Sequence, residues 1–137
     1  MSKVKEKPLR IIVDSNALFV PLQFKIDIFE ELKRLLNRNF ELVLISPVRE
    51  ELEKLAERGS PKTRKTASYV LKLAEEKCIY YHMGQSFKVA DEAIIQLAKK
   101  WGCLVFTNDR ELKRRLRNIN VPVIYVRQKS RLEIDGV

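Results

Sequence analysis

Four carboxylates in this 137-residue chain stand where they can do chemistry: Asp14, Glu51, Asp91 and Asp109. Asp14 closes the apolar run Leu9-Arg10-Ile11-Ile12-Val13, which reads as a buried strand; Asp109 follows a second such run, Cys103-Leu104-Val105-Phe106, within Thr107-Asn108-Asp109. The other two emerge from helical phase at about 100° per residue. Taking Val48 as zero, Leu52, Leu55 and Ala56 fall within roughly 80° of it, Glu51 flanks that stripe at about −60°, and Glu50 and Glu53 point away. Asp91 shares a face with Ile94, Ile95 and Ala98, whereas Glu92 sides with Gln96 and Lys99. Two carboxylates about 5 Å apart repel by roughly 3 kcal/mol at an effective dielectric of about 20. If the four converge, they need raised pKa values, a lysine or arginine, or a hard divalent cation with oxygen ligands, Mg²⁺ or Mn²⁺. Zinc is disfavoured, because His82 is the one histidine and reads as a loop residue, and Cys78 and Cys103 are far apart in sequence.

Each acid also has a local reading. Asp14 suits a turn or an N-cap, and the others have many Lys and Arg residues to pair with. Asn108, with Glu111 three residues on, supplies a capping box by itself, which leaves Asp109 unneeded as a cap.

The elements that must position these groups alternate strand and helix. After the Leu9–Val13 strand, Phe24, Ile28, Leu32, Leu35 and Leu36 form one helical stripe. Glu41–Ile45 is a second strand; Ser46-Pro47 then gives an N-cap and a first-turn proline, and Gly59 closes the helix. Ser60-Pro61 opens another helix with Val70, Leu73 and Ala74 on its core side, and Cys78–Tyr81 is a weaker strand candidate. Ala90–Lys100 is helical up to Gly102, Cys103–Phe106 a strand, Asn108–Arg117 a short helix and Val121–Val126 a last strand. Apolar strand runs without alternating polarity imply a parallel sheet covered on both faces, so the expected fold is α/β, a three-layer α/β/α sandwich with a central parallel sheet. One domain spans residues 1–137, with a core over about 9–127 and tails at Met1–Lys7 and Ser130–Val137.

Twenty-seven Lys and Arg against eighteen Asp and Glu leave a net charge of +9, which favours a polyanionic partner or an acidic membrane surface. The start of the chain lacks the apolar segment of a signal peptide and no stretch is long enough to span a bilayer, so a cytoplasmic protein without a membrane role is expected. The two thiols read as small buried apolar residues, and no glycine-rich phosphate loop follows any strand. The basic residues cluster: Arg58, Lys62, Arg64, Lys65 and Lys72 in one group, and Arg110, Lys113, Arg114, Arg115 and Arg117 directly after Asp109. An acidic, cation-binding pocket in a basic protein makes sense where the surface gathers phosphates and the cation acts on one.

At this point the residues resemble the PIN-domain nucleases over nearly the whole chain. Ile11-Ile12-Val13-Asp14-Ser15-Asn16 resembles the family's first-strand motif and Ser46-Pro47-Val48-Arg49-Glu50-Glu51-Leu52 its second. Ala90-Asp91-Glu92-Ala93-Ile94-Ile95, followed by Val105-Phe106-Thr107-Asn108-Asp109-Arg110-Glu111-Leu112, resembles the closing pair. From Asp91 through Ile124-Tyr125-Val126 the chain is similar to the branch that processes small-subunit ribosomal RNA, chiefly in Arg110 to Arg117. The resemblance implies a Rossmann-like fold and an acidic metal site made of Asp14, Glu51, Asp91 and Asp109. Asn16 and Thr107 would orient ligands, substrate or water. It further implies dependence on Mg²⁺ or Mn²⁺ and single-stranded RNA as substrate. Family members often dimerise, so a homodimer is one implied partner, with an antitoxin or a ribosome-assembly factor as others.

The function expected is therefore an endoribonuclease that hydrolyses RNA phosphodiesters, in ribosomal RNA processing. Arg110, Lys113 and Arg114 would position the phosphate backbone. There are three alternatives, one within the nucleases and two of another class. A VapC-type toxin ribonuclease would share the same site. A non-catalytic basic RNA-binding scaffold would use the acids in ion pairs. A receiver-like signalling domain needs an acid at the end of its central strand, and Cys78 to Gly84 holds none.

Overall fold

Ile11, Ile12 and Val13 are consecutive and all fully buried. Neighbouring strand residues face opposite sides of a sheet, so β1 (Leu9–Val13) is covered on both faces, as the unbroken apolar run requires. A computed structural model of the chain describes residues 7–136; the expected tail over Met1–Glu6, like Val137, lies outside the described residues. After β1 come α1 (Ser15–Leu18), α2 (Val20–Phe24), α3 (Ile28–Leu36), β2 (Phe40–Ile45), α4 (Ser46–Arg58), α5 (Pro61–Lys77) and β3 (Cys78–Tyr81). The second half is α6 (Ala90–Trp101), β4 (Leu104–Phe106), α7 (Arg110–Asn118), β5 (Val123–Arg127) and β6 (Arg131–Asp135).

The sheet runs in the order β3-β2-β1-β4-β5-β6. Every pairing is parallel except β5 with β6, and helices flank it. The chain builds outward from β1 to β2 and β3, crosses back through α6, then builds outward again from β4. That reversal puts the switch point between β1 and β4, where an open parallel sheet leaves a crevice beyond its carboxyl ends. Ile12 pairs with Val105 and Val13 with Phe106, so Asp14 and Thr107 leave the sheet side by side.

Several local expectations are corrected. The stripe from Phe24 to Leu36 is not one helix: Lys25 is left-handed (φ 54°) and ends α2, and Asp27 starts α3 by accepting from the backbone N–H groups of Phe29 and Glu30. Ser46 is not an N-cap. It lies inside α4, and its buried hydroxyl accepts from the Met83 backbone N–H, which pins the loop after β3 to the start of α4. Leu55 is 38% exposed rather than packed, so the core face of α4 is narrower than its sequence stripe. The largest difference is at the end of the chain. Arg131 to Asp135 is an antiparallel edge strand, its Leu132 fully enclosed and its Leu132 N–H bound to the Glu31 carboxylate of α3. The core thus reaches past 127, and the sheet is mixed, not purely parallel. Cys103 is buried and Cys78 half-buried; burial pushes their thiols up to about 11 and about 12, so neither is a nucleophile at neutral pH.

Candidate active site

Asp14 is 4% exposed at the end of β1, on the crevice. Its Oδ1 accepts from the Ser15 N–H (2.8 Å); its Oδ2 accepts from the Thr107 hydroxyl (2.7 Å) and from Asn16 Nδ2 (3.1 Å). Burial is the largest influence on its carboxyl and raises its pKa; the Thr107 and Ser15 hydrogen bonds pull the other way, and the charges of Asp91 and Asp109 add to the rise. Thr107 is fully buried, and its hydroxyl also accepts from the Asp109 N–H (3.1 Å). One hydroxyl therefore fixes both an acid on β1 and the backbone that presents the acid after β4. Asn16 Oδ1 accepts from the Asn108 N–H (2.9 Å), a second tie between the two strand ends.

Asp109 is the N-cap of α7: its Oδ1 accepts from the Leu112 N–H (3.0 Å). The expectation that Asn108 caps this helix and frees Asp109 is corrected. Asn108 instead turns its Oδ1 toward β5, where it accepts from the Val126 N–H (2.9 Å). The physical reason is the strand-end pairing, which commits the Asn108 backbone to Asn16 and leaves the next residue to open the helix.

Glu51 stands in α4 at the rim, and its Oε1 accepts from the Ser15 hydroxyl (3.3 Å). Its pKa is raised, first by desolvation and then by the charges of Asp14 and Asp91. Asp91, in the first turn of α6, is half-buried; desolvation and then Asp109 raise it, while Arg115 lowers it. The contacts of α1 with α4, α4 with α6 and α6 with α7 close this rim. The structure thus brings the four predicted acids to one end of the sheet, each within electrostatic reach of at least one other. None of the four forms an ion pair among the described residues. Arg115, the cation that acts on Asp91, is bound to Glu92 (2.9 Å).

This donor set suits a hard cation: oxygen ligands alone, carboxyls of Asp14, Glu51 and Asp91 raised first by burial and then by neighbouring acids, and no ion pair to lysine or arginine among the described residues. Among the described residues no three His, Cys, Asp or Glu side chains are close enough together to hold an ion as they stand. An open acidic rim of this kind fits Mg²⁺, which keeps several waters and takes one or two carboxylates plus substrate phosphate oxygens, better than it fits a closed protein cage.

The three predicted backbone-positioning cations separate. Arg110 and Lys113 line a groove of about 480 Å³ that also touches Thr107. Lys113 pairs with Asp135 (3.5 Å) and lies over the Tyr125 ring, 3.5 Å from its centroid. Arg114 is exposed and bound to Glu111 on its own helix. Ser15 and Asn108 bond to site residues, a part the sequence did not assign them, and Arg115, read from sequence only as one of a basic group, acts on Asp91. A hydroxyl beside Asp14 and an Asn between Thr107 and Asp109 were the available signals, but both residue types also serve turns and caps.

The family described as PIN like domain matches residues 11–129. Ribonuclease VapC4 of Methanocaldococcus jannaschii is 40% identical over 129 residues, which is 93% of this chain and 98% of that protein. The rRNA-processing protein fcf1 of Schizosaccharomyces pombe is 34% identical over 133 residues, 92% of this chain and 64% of that protein. Among solved structures, that of the PIN domain endonuclease Utp24 superposes with a TM-score of 0.81 at 30% identity, covering 95% of this chain and 93% of that one. No helix among the described residues is long and apolar enough to cross a membrane. The sheet order, the acidic crevice, the family match and these relatives aligned over more than nine-tenths of its length show that the chain belongs to the PIN-like domain family and is homologous to nucleases of that fold.

Proposed function

We propose that this protein is a divalent-metal-dependent endoribonuclease of the VapC type, hydrolysing phosphodiester bonds in single-stranded RNA. The observation that carries the chemistry is the crevice between β1 and β4, where four carboxylates lie within electrostatic reach of one another and none forms an ion pair among the described residues. Asp14, Asp91 and Asp109 would hold a Mg²⁺ or Mn²⁺ ion, with Glu51 joining directly or through water. When bound, such an ion lowers the pKa of an attacking water and offsets charge on the phosphoryl oxygens.

The chain's own residues do the positioning. Thr107 and Asn16 fix the Asp14 carboxylate by hydrogen bonds, so its oxygens need little rearrangement to meet a cation. Asp109 commits one oxygen to the α7 cap, and its other oxygen would serve the ion. Arg110, at the first position of α7, would hold a backbone phosphate beside the acids without reading its base.

Of the two biological settings, the VapC reading is favoured over ribosomal RNA processing by the 40% identity that runs across 98% of VapC4. The ribosomal reading keeps the support of fcf1, an rRNA-processing protein 34% identical to this chain. An antitoxin would be the partner in the first case and a ribosome-assembly factor in the second. Purified protein with labelled single-stranded RNA tests the chemistry. Cleavage should need Mn²⁺ or Mg²⁺, and Asp14→Asn and Asp91→Asn should each lose about a hundredfold or more, since a metal site supplies several kcal/mol of transition-state stabilisation. Equal cleavage by all three proteins, or cleavage surviving excess chelator, would overturn it. Growth arrest on expression, relieved by a protein encoded next to it, supports the VapC setting; co-purification with pre-ribosomal RNA supports the other.

A further inference from the structure

The groove beside the acids is lined by four cations, Arg110, Lys113, Arg127 and Lys129, and by no carboxylate. It begins at Thr107, whose hydroxyl is bonded to Asp14, and runs outward under the turn that joins β5 to β6. Lys113 and Arg127 are partly neutralised from behind, by Asp135 and by Glu133 (3.2 Å). Arg110 and Lys129 take part in no ion pair among the described residues. A concave, one-sign surface of this kind concentrates a polyanion. The volume, about 480 Å³, lies in the range of about 300–1,000 Å³ typical of small-ligand sites, which suits a nucleotide-sized piece of a strand. The second groove at the crevice, lined by Ser15, Glu51, Lys54, Leu55 and Arg58 among others, carries a carboxylate and is proportionally more apolar, so it is the poorer phosphate track.

We infer that this groove is the subsite for the RNA strand on one side of the scissile phosphate, with Arg127 and Lys129 of the β5–β6 turn holding backbone phosphates. The inference rests on reading the chain as a ribonuclease. The strand would leave the acids over the start of α7 and pass beneath the turn. Recognition there is of phosphate, not sequence: the polar lining is dominated by cations, one face of Tyr125 is already covered by Lys113, and Phe24, the other aromatic in the lining, can only stack on a base without reading it.

The test is binding of a labelled oligouridylate in chelator, where no cleavage intervenes, across a series of salt concentrations. Arg127→Ala with Lys129→Ala should weaken binding about tenfold and reduce the slope of log K against log salt by about 1.4, or 0.7 for each lost phosphate contact. Lys129→Ala alone, at the exposed turn, should reduce it by about half as much. Lys65→Ala with Lys72→Ala, which removes the same charge from α5, should leave the slope as in the wild type. The proposal is overturned if the α5 pair takes the loss, if the turn variants bind with the wild-type slope, or if the wild type does not bind. It is also overturned if polyglutamate competes as well as unlabelled oligouridylate, which would mark a site for acidic peptides. If the slopes change as expected but the wild type cleaves no RNA under any metal, the groove stands and the ribonuclease reading falls.

Discussion

Thr107 shows how much one side chain can do in this crevice. Its buried hydroxyl donates to Asp14 and accepts from the Asp109 N–H, so Thr107→Val leaves a part-buried N–H without this acceptor and a buried acid with one donor fewer. Such a loss costs about 1–3 kcal/mol. The expected outcome is a thermal midpoint several degrees lower and RNA cleavage reduced further than stability alone explains, with Thr107→Ser restoring both because it keeps the hydroxyl. A valine variant with wild-type turnover would remove Thr107 from the positioning network. At this scale the sequence was informative about type and position: Asp14, Asn16, Thr107 and Asp109 all lie at strand ends. It was silent about which of several polar neighbours forms which bond. Asn108 and Asp109 are both good caps by residue type, and only the pairing of β1 with β4 made Asp109 the cap.

At the scale of elements, the buried strands were legible because β1, β2 and β4 each carry at least three consecutive apolar residues without alternation, whereas β6 was not. Arg131-Leu132-Glu133-Ile134-Asp135 alternates polar and apolar, as a half-exposed edge strand does, but the turn before it offers no Asn-Gly or Asp-Gly signal. Instead Gln128 and Lys129 are both left-handed (φ 53° and 57°), and the Ser130 N–H donates to the Arg127 carbonyl. Left-handed non-glycine residues cost about 1–2 kcal/mol each. Gln128→Asn with Lys129→Gly should therefore stabilise the protein by about 1 kcal/mol, read as a higher denaturant midpoint. An unchanged or lower midpoint would remove the strain from this turn. The same change should weaken RNA binding through the lost lysine. The break between α2 and α3 was missed for a related reason: the helical stripe is continuous from Phe24 to Leu36, and a left-handed lysine carries no mark in the sequence.

Across the whole molecule, a net charge of +9 surrounds a rim of acids whose pKa values are raised. For Asp14, Glu51 and Asp91 the native state holds protons that the unfolded chain has released, in the window above ordinary carboxylate values of about 4. Stability from that source is full below the unfolded values and lost as pH rises through the raised native ones. In chelator, Asp91→Asn should thus melt at a higher temperature than the wild type at neutral pH, and the gap should close as pH falls toward about 4–5. Adding Mn²⁺ at neutral pH should raise the wild-type midpoint and leave Asp91→Asn less affected. A gap that is absent or grows on acidification would sink the claim that the acids repel in the native state. The sequence by itself determined the alternation of strands and helices, the two-faced burial of the central strands, the two acids that follow strand ends and the two on the inner flanks of helices, because apolar periodicity and residue type are local properties. Only the tertiary structure decided that those ends meet at one switch point, that the last residues return as an edge strand, and that their turn places two cations over a groove leading from the acids. Those facts depend on the register between strands distant in sequence, which no local pattern encodes.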